Sequence, residues 1–369
     1  MELVCPCLLG VEGLVADDLK MAGLSGVRAE NGRVFFDYSE EALVTSNIIC
    51  RYGERILINL KTFKAESFEE LFQGVKSIPW QDFIGKNDAF PVKGRVLDSK
   101  LSSVPTCQSI IKKAVVQKLS EKYGISWFEE NGSTYQIQFL IMNDTVSIML
   151  DTSGQGLHKR GYRKDSNEAP IRETLAATLA KLSRVRHDAN YIDPFCGSGT
   201  VLIEGAMLAL NIAPGIKRSF VSENWGFVNK KLWQEAREKA HDVIIRDTAF
   251  HATGYDIDPK AVELTLNNAK KAGIAKKVSV IQRDIKDYNQ LEQYGCVVCN
   301  PPYGERLLDI ESARKIYRTM GEKFESKRGW NYTIISPDEE FENYFGRKAD
   351  KRRKLYNGMI KCQVYMYYK

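Results

Sequence analysis

Short runs of hydrophobic and polar positions alternate along the first third of the chain. Leu3 to Leu9 is an apolar run of strand type, and Val15, Leu19 and Met21–Ala22 recur at helical spacing. Asn31-Gly32 stands between Val27-Arg28-Ala29 and Val34-Phe35-Phe36, a hairpin signal in which both central residues take positive φ. Ser39 is placed to cap a helix over Glu40 to Cys50, and Arg55 to Thr62 reads as a strand. The order strand-helix-strand-strand-helix-strand predicts a ferredoxin-like sandwich over residues 1–64.

A second unit is expected over residues 65–155. Ser67-Phe68-Glu69-Glu70 has the form of a capping box on a helix to Ser77. A strand over Ala89 to Val96 leads into a helix over Cys107 to Lys122, with Ile110, Ile111, Ala114, Val115 and Leu119 on one face. Strands Tyr135 to Ile141 and Thr145 to Leu150 flank the turn Met142-Asn143-Asp144. Gly154 to Arg163 has no periodicity and reads as a linker. From there the pattern becomes long helices alternating with short β-rich runs: Tyr191 to Asp193, Ala252 to Ile257, Val278 to Gln282, Val297 to Cys299 and Tyr332 to Ser336. Such alternation implies an α/β domain with a mostly parallel sheet over residues 165–369. Lys351 to Tyr356, Asn357-Gly358 and Met359 to Tyr368 add a closing antiparallel hairpin.

Composition narrows the class. The 369 residues are 43% hydrophobic and 27% charged, as in an ordinary folded protein. The longest apolar run, Val201 to Ala213, is interrupted by Glu204 and too short to span a bilayer, and no basic segment precedes the first apolar run. Eight cysteines are too sparse for a disulfide framework, so a cytoplasmic location without membrane association is expected. The net charge of +6 divides into −1 over residues 1–165 and +7 over 166–369, a basic excess compatible with a polyanionic partner.

Four motifs of the last domain carry chemistry. Asp193-Pro194-Phe195-Cys196-Gly197-Ser198-Gly199-Thr200 stands where a strand ends and a helix begins, the place where ligands of open α/β sheets bind. Its glycines let backbone approach a ligand, but Leu202 replaces the third glycine of a dinucleotide fingerprint and the Walker lysine is missing. Asp256, in Gly254-Tyr255-Asp256-Ile257-Asp258, is a strand-end carboxylate suited to ribose hydroxyls, and Asp284 ends the next strand. The 57 residues between Gly199 and Asp256 imply an inserted segment over about 211–250. Asn300-Pro301-Pro302-Tyr303-Gly304-Glu305-Arg306 is the most informative motif. Two prolines fix an extended chain without N–H donors, leaving the Asn300 amide oxygen and the Pro301 carbonyl as acceptors for an –NH2 group. Tyr303 adds a flat face for a base.

The order of these motifs resembles the class I S-adenosylmethionine-dependent methyltransferases of exocyclic amino groups, a Rossmann-like fold ending in a β-hairpin. With the N-terminal region, in which Ser67 to Trp80 and Ser99 to Lys118 look like a THUMP core, it resembles the bacterial THUMP-domain RNA methyltransferases. Among these it is most similar to the 23S rRNA guanine-N2-methyltransferases. The resemblance implies S-adenosyl-L-methionine as cofactor, RNA as partner and methyl transfer to guanine N2. It implies Asn300, Pro301, Pro302 and Tyr303 at the acceptor base. Asp193, Phe195, Cys196, Gly197, Ser198, Gly199 and Thr200 would lie at the methionine part of the cofactor. Asp256 would hold the ribose, and Ile257 and Asp284 the adenine. Glu173 and Thr174, in Pro170 to Ala176, would cover the methionine end.

Arg306 and Lys351, Arg352 and Arg353, within the tract Arg347 to Lys354, are candidate phosphate contacts, as are Lys159-Arg160 and Arg163-Lys164. Cys296-x2-Cys299 has no second pair nearby and lies among buried-type valines, and His158, His187, His241 and His251 show no metal-ligand spacing, so no metal is expected. Trp225, Trp233 and Trp330 read as packing residues. A DNA adenine-N6 methyltransferase and a non-catalytic RNA-binding or ribosome-assembly factor are the alternatives, and the oligomeric state stays open.

Overall fold

The computed structural model describes residues 1–163, 171–290, 292–303 and 309–368. In its first half, strands β1 (Glu2–Pro6), β2 (Arg28–Glu30), β3 (Arg33–Asp37) and β4 (Leu57–Lys64) alternate with helices α1 (Glu12–Met21) and α2 (Glu40–Ile49). Helix α3 (Phe68–Lys76), strand β5 (Val92–Leu97), helix α4 (Val104–Tyr123) and strands β6 (Ile137–Met142) and β7 (Thr145–Asp151) follow. The local signals work as their chemistry requires. Ser39 accepts from the Ala42 amide, Ser67 and Glu70 form a reciprocal capping box, and α4 ends at Gly124 in the left-handed region.

These strands form one sheet of order β2-β3-β1-β4-β7-β6-β5. Strand β4 is the hinge of that arrangement: Leu57–Asn59 pairs with β1, while Leu57–Lys64 pairs with β7 across a bulge at Asn59/Lys61. The two N-terminal units therefore share a continuous sheet. The first hairpin differs from expectation, because Glu30 pairs with Arg33 and only Gly32 of the Asn31-Gly32 pair has positive φ. At Asn143-Asp144 both central residues have positive φ, the pairing of angles expected earlier in the chain.

The second half contributes α5 (Glu173–Leu182), β8 (Asn190–Asp193), α6 (Thr200–Ala209), α7 (Lys230–Asp242), β9 (His251–Asp256) and α8 (Pro259–Ala272). It continues through β10 (Val278–Gln282), β11 (Gly295–Cys299), α9 (Ile310–Lys323), β12 (Trp330–Ser336), α10 (Phe341–Phe345), β13 (Lys351–Asn357) and β14 (Ile360–Tyr368). The sheet order is β10-β9-β8-β11-β12-β14-β13, parallel through β12 and antiparallel at β14. Strand order reverses on either side of β8, so the carboxyl ends of β8 and β11 flank the switch point.

The segment between α6 and β9 joins the two halves. The Gly215 amide donates to the Ile48 carbonyl (2.8 Å), Ser222 Oγ to the Thr152 carbonyl (2.7 Å) and Trp225 Nε1 to the Thr134 carbonyl (2.9 Å). Trp225 also stacks on Tyr135. A Cβ at Gly215 would lie 2.7 Å from the Asn47 carbonyl oxygen and Ile48 Cα, so close docking requires glycine there.

The expected linker is the other half of this seam. Leu157, Arg160 and Tyr162 are buried, and Arg160 is only 4% exposed, donating to the carbonyls of Leu157 and Arg51. Its Nε lies 3.5 Å from Glu204, which also accepts from Tyr162 Oη at 3.0 Å. Arg160 is thus an interdomain tie and not a phosphate contact. The charge in mid-α6 that interrupts the apolar run has its partners here.

Candidate functional site

The turn from β8 to α6 is stapled to its neighbours. The Cys196 amide donates to the Tyr255 carbonyl, the Gly199 amide to the Cys196 carbonyl, and the Gly197 amide to Asp256 Oδ2 at 2.9 Å. From α8, Thr265 Oγ1 donates to the Gly197 carbonyl (2.8 Å) and Asn268 Nδ2 to the Ser198 carbonyl (2.9 Å). Gly199 caps α6 at φ 81°, and a Cβ there would press into Thr265. The α6 N-terminus has no side-chain cap, so its free N–H groups are not claimed in that way. Thr265 and Asn268 escaped the sequence reading. Their only signal is a polar residue on the buried face of an amphipathic helix.

Around this turn the residues singled out in the sequence converge. Asp193 is 1% exposed, and burial pushes its carboxyl up to about 8, opposed by a bond from the Phe195 amide and reinforced by the Asp256 charge. Asp256 ends β9 with one oxygen bonded by the Gly197 amide and the other by the Asp258 amide, which leaves lone pairs on both. Beside it Ile257 is 65% exposed, an uncovered aliphatic face at a strand end. Asp284, two residues past the end of β10, accepts from the Lys286 amide and caps a short helical turn. Phe195 packs on the aromatic cluster around Tyr317 and Tyr332, and burial pushes the Cys196 thiol up, so it is no nucleophile. Ser198 Oγ and Thr200 Oγ1 lie 3.2 Å apart.

Helix α5 sits behind the turn, and two parts of the chain hold its start. Arg163 pairs with Glu173 (3.1 Å) and donates to Thr200 Oγ1 (2.9 Å), joining α5 to α6. Burial pushes the Glu173 carboxyl up, against the Arg163 charge. Thr174 Oγ1 donates to Glu54 (3.1 Å), which belongs to the first domain and also faces Arg172 and His158. Arg163 is therefore another internal tie, and Glu54 is a carboxylate lent to a helix start across domains.

Strand β11 pairs with β8 through Gly295↔Asn190 to Val297↔Ile192. Adjacent strands lie about 4.8 Å apart, so Asn300-Pro301-Pro302 emerges next to Asp193-Pro194-Phe195. The Asn300 Oδ1 atom is buried and has no hydrogen-bond partner among the described residues. A buried acceptor left unpaired costs about 1–3 kcal/mol, a cost that a donor arriving from outside would relieve. Tyr303 is 5% exposed and accepts a bond from Asn357 Nδ2 at 2.9 Å. The ring is packed in this state, with its hydroxyl tied to the closing hairpin.

The basic tract divides. Arg347 lies over the rings of Tyr332, Phe345 and Tyr367 and is occupied within the fold, while Arg352 pairs with Glu342 and stays exposed. Lys351 is exposed and Arg353 half-buried along β13 at the sheet edge. Arg306, like Lys164 and Pro170, lies outside the described residues. Among the described residues no group of three or more His, Cys, Asp or Glu is arranged to hold a metal, and no helix is long and apolar enough to cross a membrane. Trp225, Trp233 and Trp330 are buried packing residues.

Comparison with known proteins gives three family matches: an RMKL-like methyltransferase domain over 160–366, a THUMP domain over 65–151 and an RlmL ferredoxin-like domain over 2–57. The chain is 41% identical over 99% of its length to YpsC of Bacillus subtilis (strain 168), covering 95% of that protein, whose name assigns it provisionally as an RNA methyltransferase. It is 32% identical over 97% of its length to the ribosomal RNA large subunit methyltransferase K/L of Shewanella frigidimarina (strain NCIMB 400), and spans 51% of that longer protein. A Listeria monocytogenes crystal structure, described from prediction as an N6-adenine-specific DNA methylase, matches with TM-score 0.94 and 40% identity, covering 100% of this chain and 96% of that one. The SMU.472 protein, provisionally a methyltransferase and solved with SAH, matches with TM-score 0.93 and 39% identity over 100% and 97%.

Proposed function

Because this chain belongs to the RMKL-like family of S-adenosylmethionine-dependent methyltransferases, we propose that it methylates an exocyclic amino group in RNA, guanine N2 of 23S rRNA being the favoured target. The carrying observation is Asn300 Oδ1, buried and without a hydrogen-bond partner among the described residues, at the end of the strand that pairs with β8 at the switch point.

The residues around the turn fit the cofactor. Asp193, an acid kept neutral by burial, gains from a cationic neighbour, which suits the methionine end. Asp256 would take the ribose hydroxyls, Ile257 the adenine ring and Asp284 its amino group. Glu173 and Thr174 would close the methionine end, with Phe195 to Thr200 as its backbone cradle. When bound, S-adenosylmethionine supplies a methyl carbon on a positively charged sulfur.

The acceptor side belongs to the chain itself. Asn300 Oδ1 and the Pro301 carbonyl take the two hydrogens of the amine, turning its nitrogen lone pair outward. Pro302 holds that corner extended, and Tyr303 bounds the base. Each acceptor also stabilises positive charge that grows on nitrogen during transfer, an effect worth ~2.7–4 kcal/mol per group by analogy with an oxyanion-hole donor. Alignment of nitrogen, carbon and sulfur provides the rest. The proton leaves after the bond forms, so no dedicated strong base is required.

The RNA assignment is supported by the THUMP match and by the names of YpsC and the K/L relatives; the description of the Listeria protein favours adenine in DNA instead. Incubating the protein and radiolabelled S-adenosylmethionine with total RNA, 23S rRNA and duplex DNA, then digesting to nucleosides, separates them. Label in N2-methylguanosine from 23S rRNA is expected. Label confined to N6-methyladenine in DNA overturns the substrate, and no label in any nucleic acid overturns the reaction.

A further inference from the structure

The tip of hairpin β13–β14 is built on Gly358 and Met359, since Asn357 pairs with Ile360 as the last rung. Gly358 has φ 67°, and Asn357 is not among the positive-φ residues. A turn of this form asks for glycine at its first central position and nothing particular before it. The hairpin therefore does not need asparagine at 357, and a side-chain amide is an expensive group to bury. Asn357 is nevertheless 3% exposed, and its Nδ2 donates to the Tyr303 hydroxyl 54 residues away in sequence. Tyr303 follows the rigid Pro301-Pro302 pair, so a bond to the phenol end fixes the ring at both ends.

We infer that Asn357 is a positioning residue: through the Tyr303 hydroxyl it sets the plane of the ring beside the Asn300–Pro301 acceptor corner, and so the orientation in which a target base is received. The inference rests on the acceptor-corner reading above. It requires no charge change and no added group; the bond from Asn357 Nδ2 to Tyr303 Oη ties the closing hairpin to the acceptor corner. Met359, in the same turn but 96% exposed, touches neither element in this way and serves as the control.

The test is a double-mutant cycle on single-turnover methylation, with cofactor affinity and melting temperature measured alongside. Asn357→Ala and Tyr303→Phe each remove the bond and are expected to slow kcat by about 2- to 12-fold, the factor for roughly 0.5–1.5 kcal/mol. The double variant should be no slower than the slower single variant, with cofactor affinity unchanged throughout, and Met359→Ala should match wild type. Losses that multiply in the double variant overturn the inference, as does an Asn357→Ala protein with lowered melting temperature and unchanged kcat. A wild-type protein that methylates no nucleic acid overturns the reading beneath it. Adenine as acceptor leaves the cycle as valid as before.

Discussion

Asp193 gives the most quantitative prediction. Its carboxyl is almost fully buried, has one backbone donor and faces the Asp256 charge, and it titrates at about 8 instead of near the ordinary 3.8. A folded pKa above the unfolded one means that its contribution to stability is full below the unfolded value and is lost as pH rises through about 8. At about 1.4 kcal/mol per unit the penalty at pH 9 is on the order of 5 kcal/mol. A cationic ligand reverses the preference, so binding of S-adenosylmethionine should strengthen with pH by up to ~10-fold per unit below 8. Asp193→Asn keeps the shape and fixes the neutral form. Calorimetric titration and thermal melts from pH 5.5 to 9 should show wild type approaching the variant's weak affinity at low pH and diverging above it. Without ligand the variant should be the more stable protein at pH 9. Equal affinities across that range, or a ligand-free variant that melts lower at pH 9, would refute the reasoning.

Other expectations follow from the seam and the sheet edge. Gly215→Ala forces apart the contact with Asn47 and Ile48, and should lower the melting temperature by several degrees in a scan of the whole chain. Glu204→Leu strands the buried Arg160 guanidinium and should cost about 3–5 kcal/mol in urea unfolding; a change below 1 kcal/mol would mean the charges are not coupled. Lys351→Ala with Arg353→Ala should reduce the salt dependence of RNA affinity by up to about two ion equivalents.

What the sequence disclosed was local chemistry. Ser67 with Glu70, and the closing hairpin, follow from near neighbours alone, and the motif order located the switch point. What escaped it depends on contacts between distant positions. Arg160 and Arg347 read as surface charges because nothing nearby in sequence reveals the Arg51 carbonyl or the three rings that receive them. Asn357 read as a turn residue because Asn-Gly is a common turn pair, while pairing with Ile360 moves it out of the turn and into contact with Tyr303. Glu54 has no sequence signature, since it lies in the loop before β4 and the helix start it supports, at Thr174, is 120 residues away.

The sharpest test of the central claim is the single-turnover methylation rate of Asn300→Ala with cofactor affinity measured in parallel. The account predicts at least a ~100-fold slower transfer, the lower end of the per-group stabilisation above, with cofactor bound as tightly as in wild type. A folded variant that transfers methyl at close to the wild-type rate would contradict it.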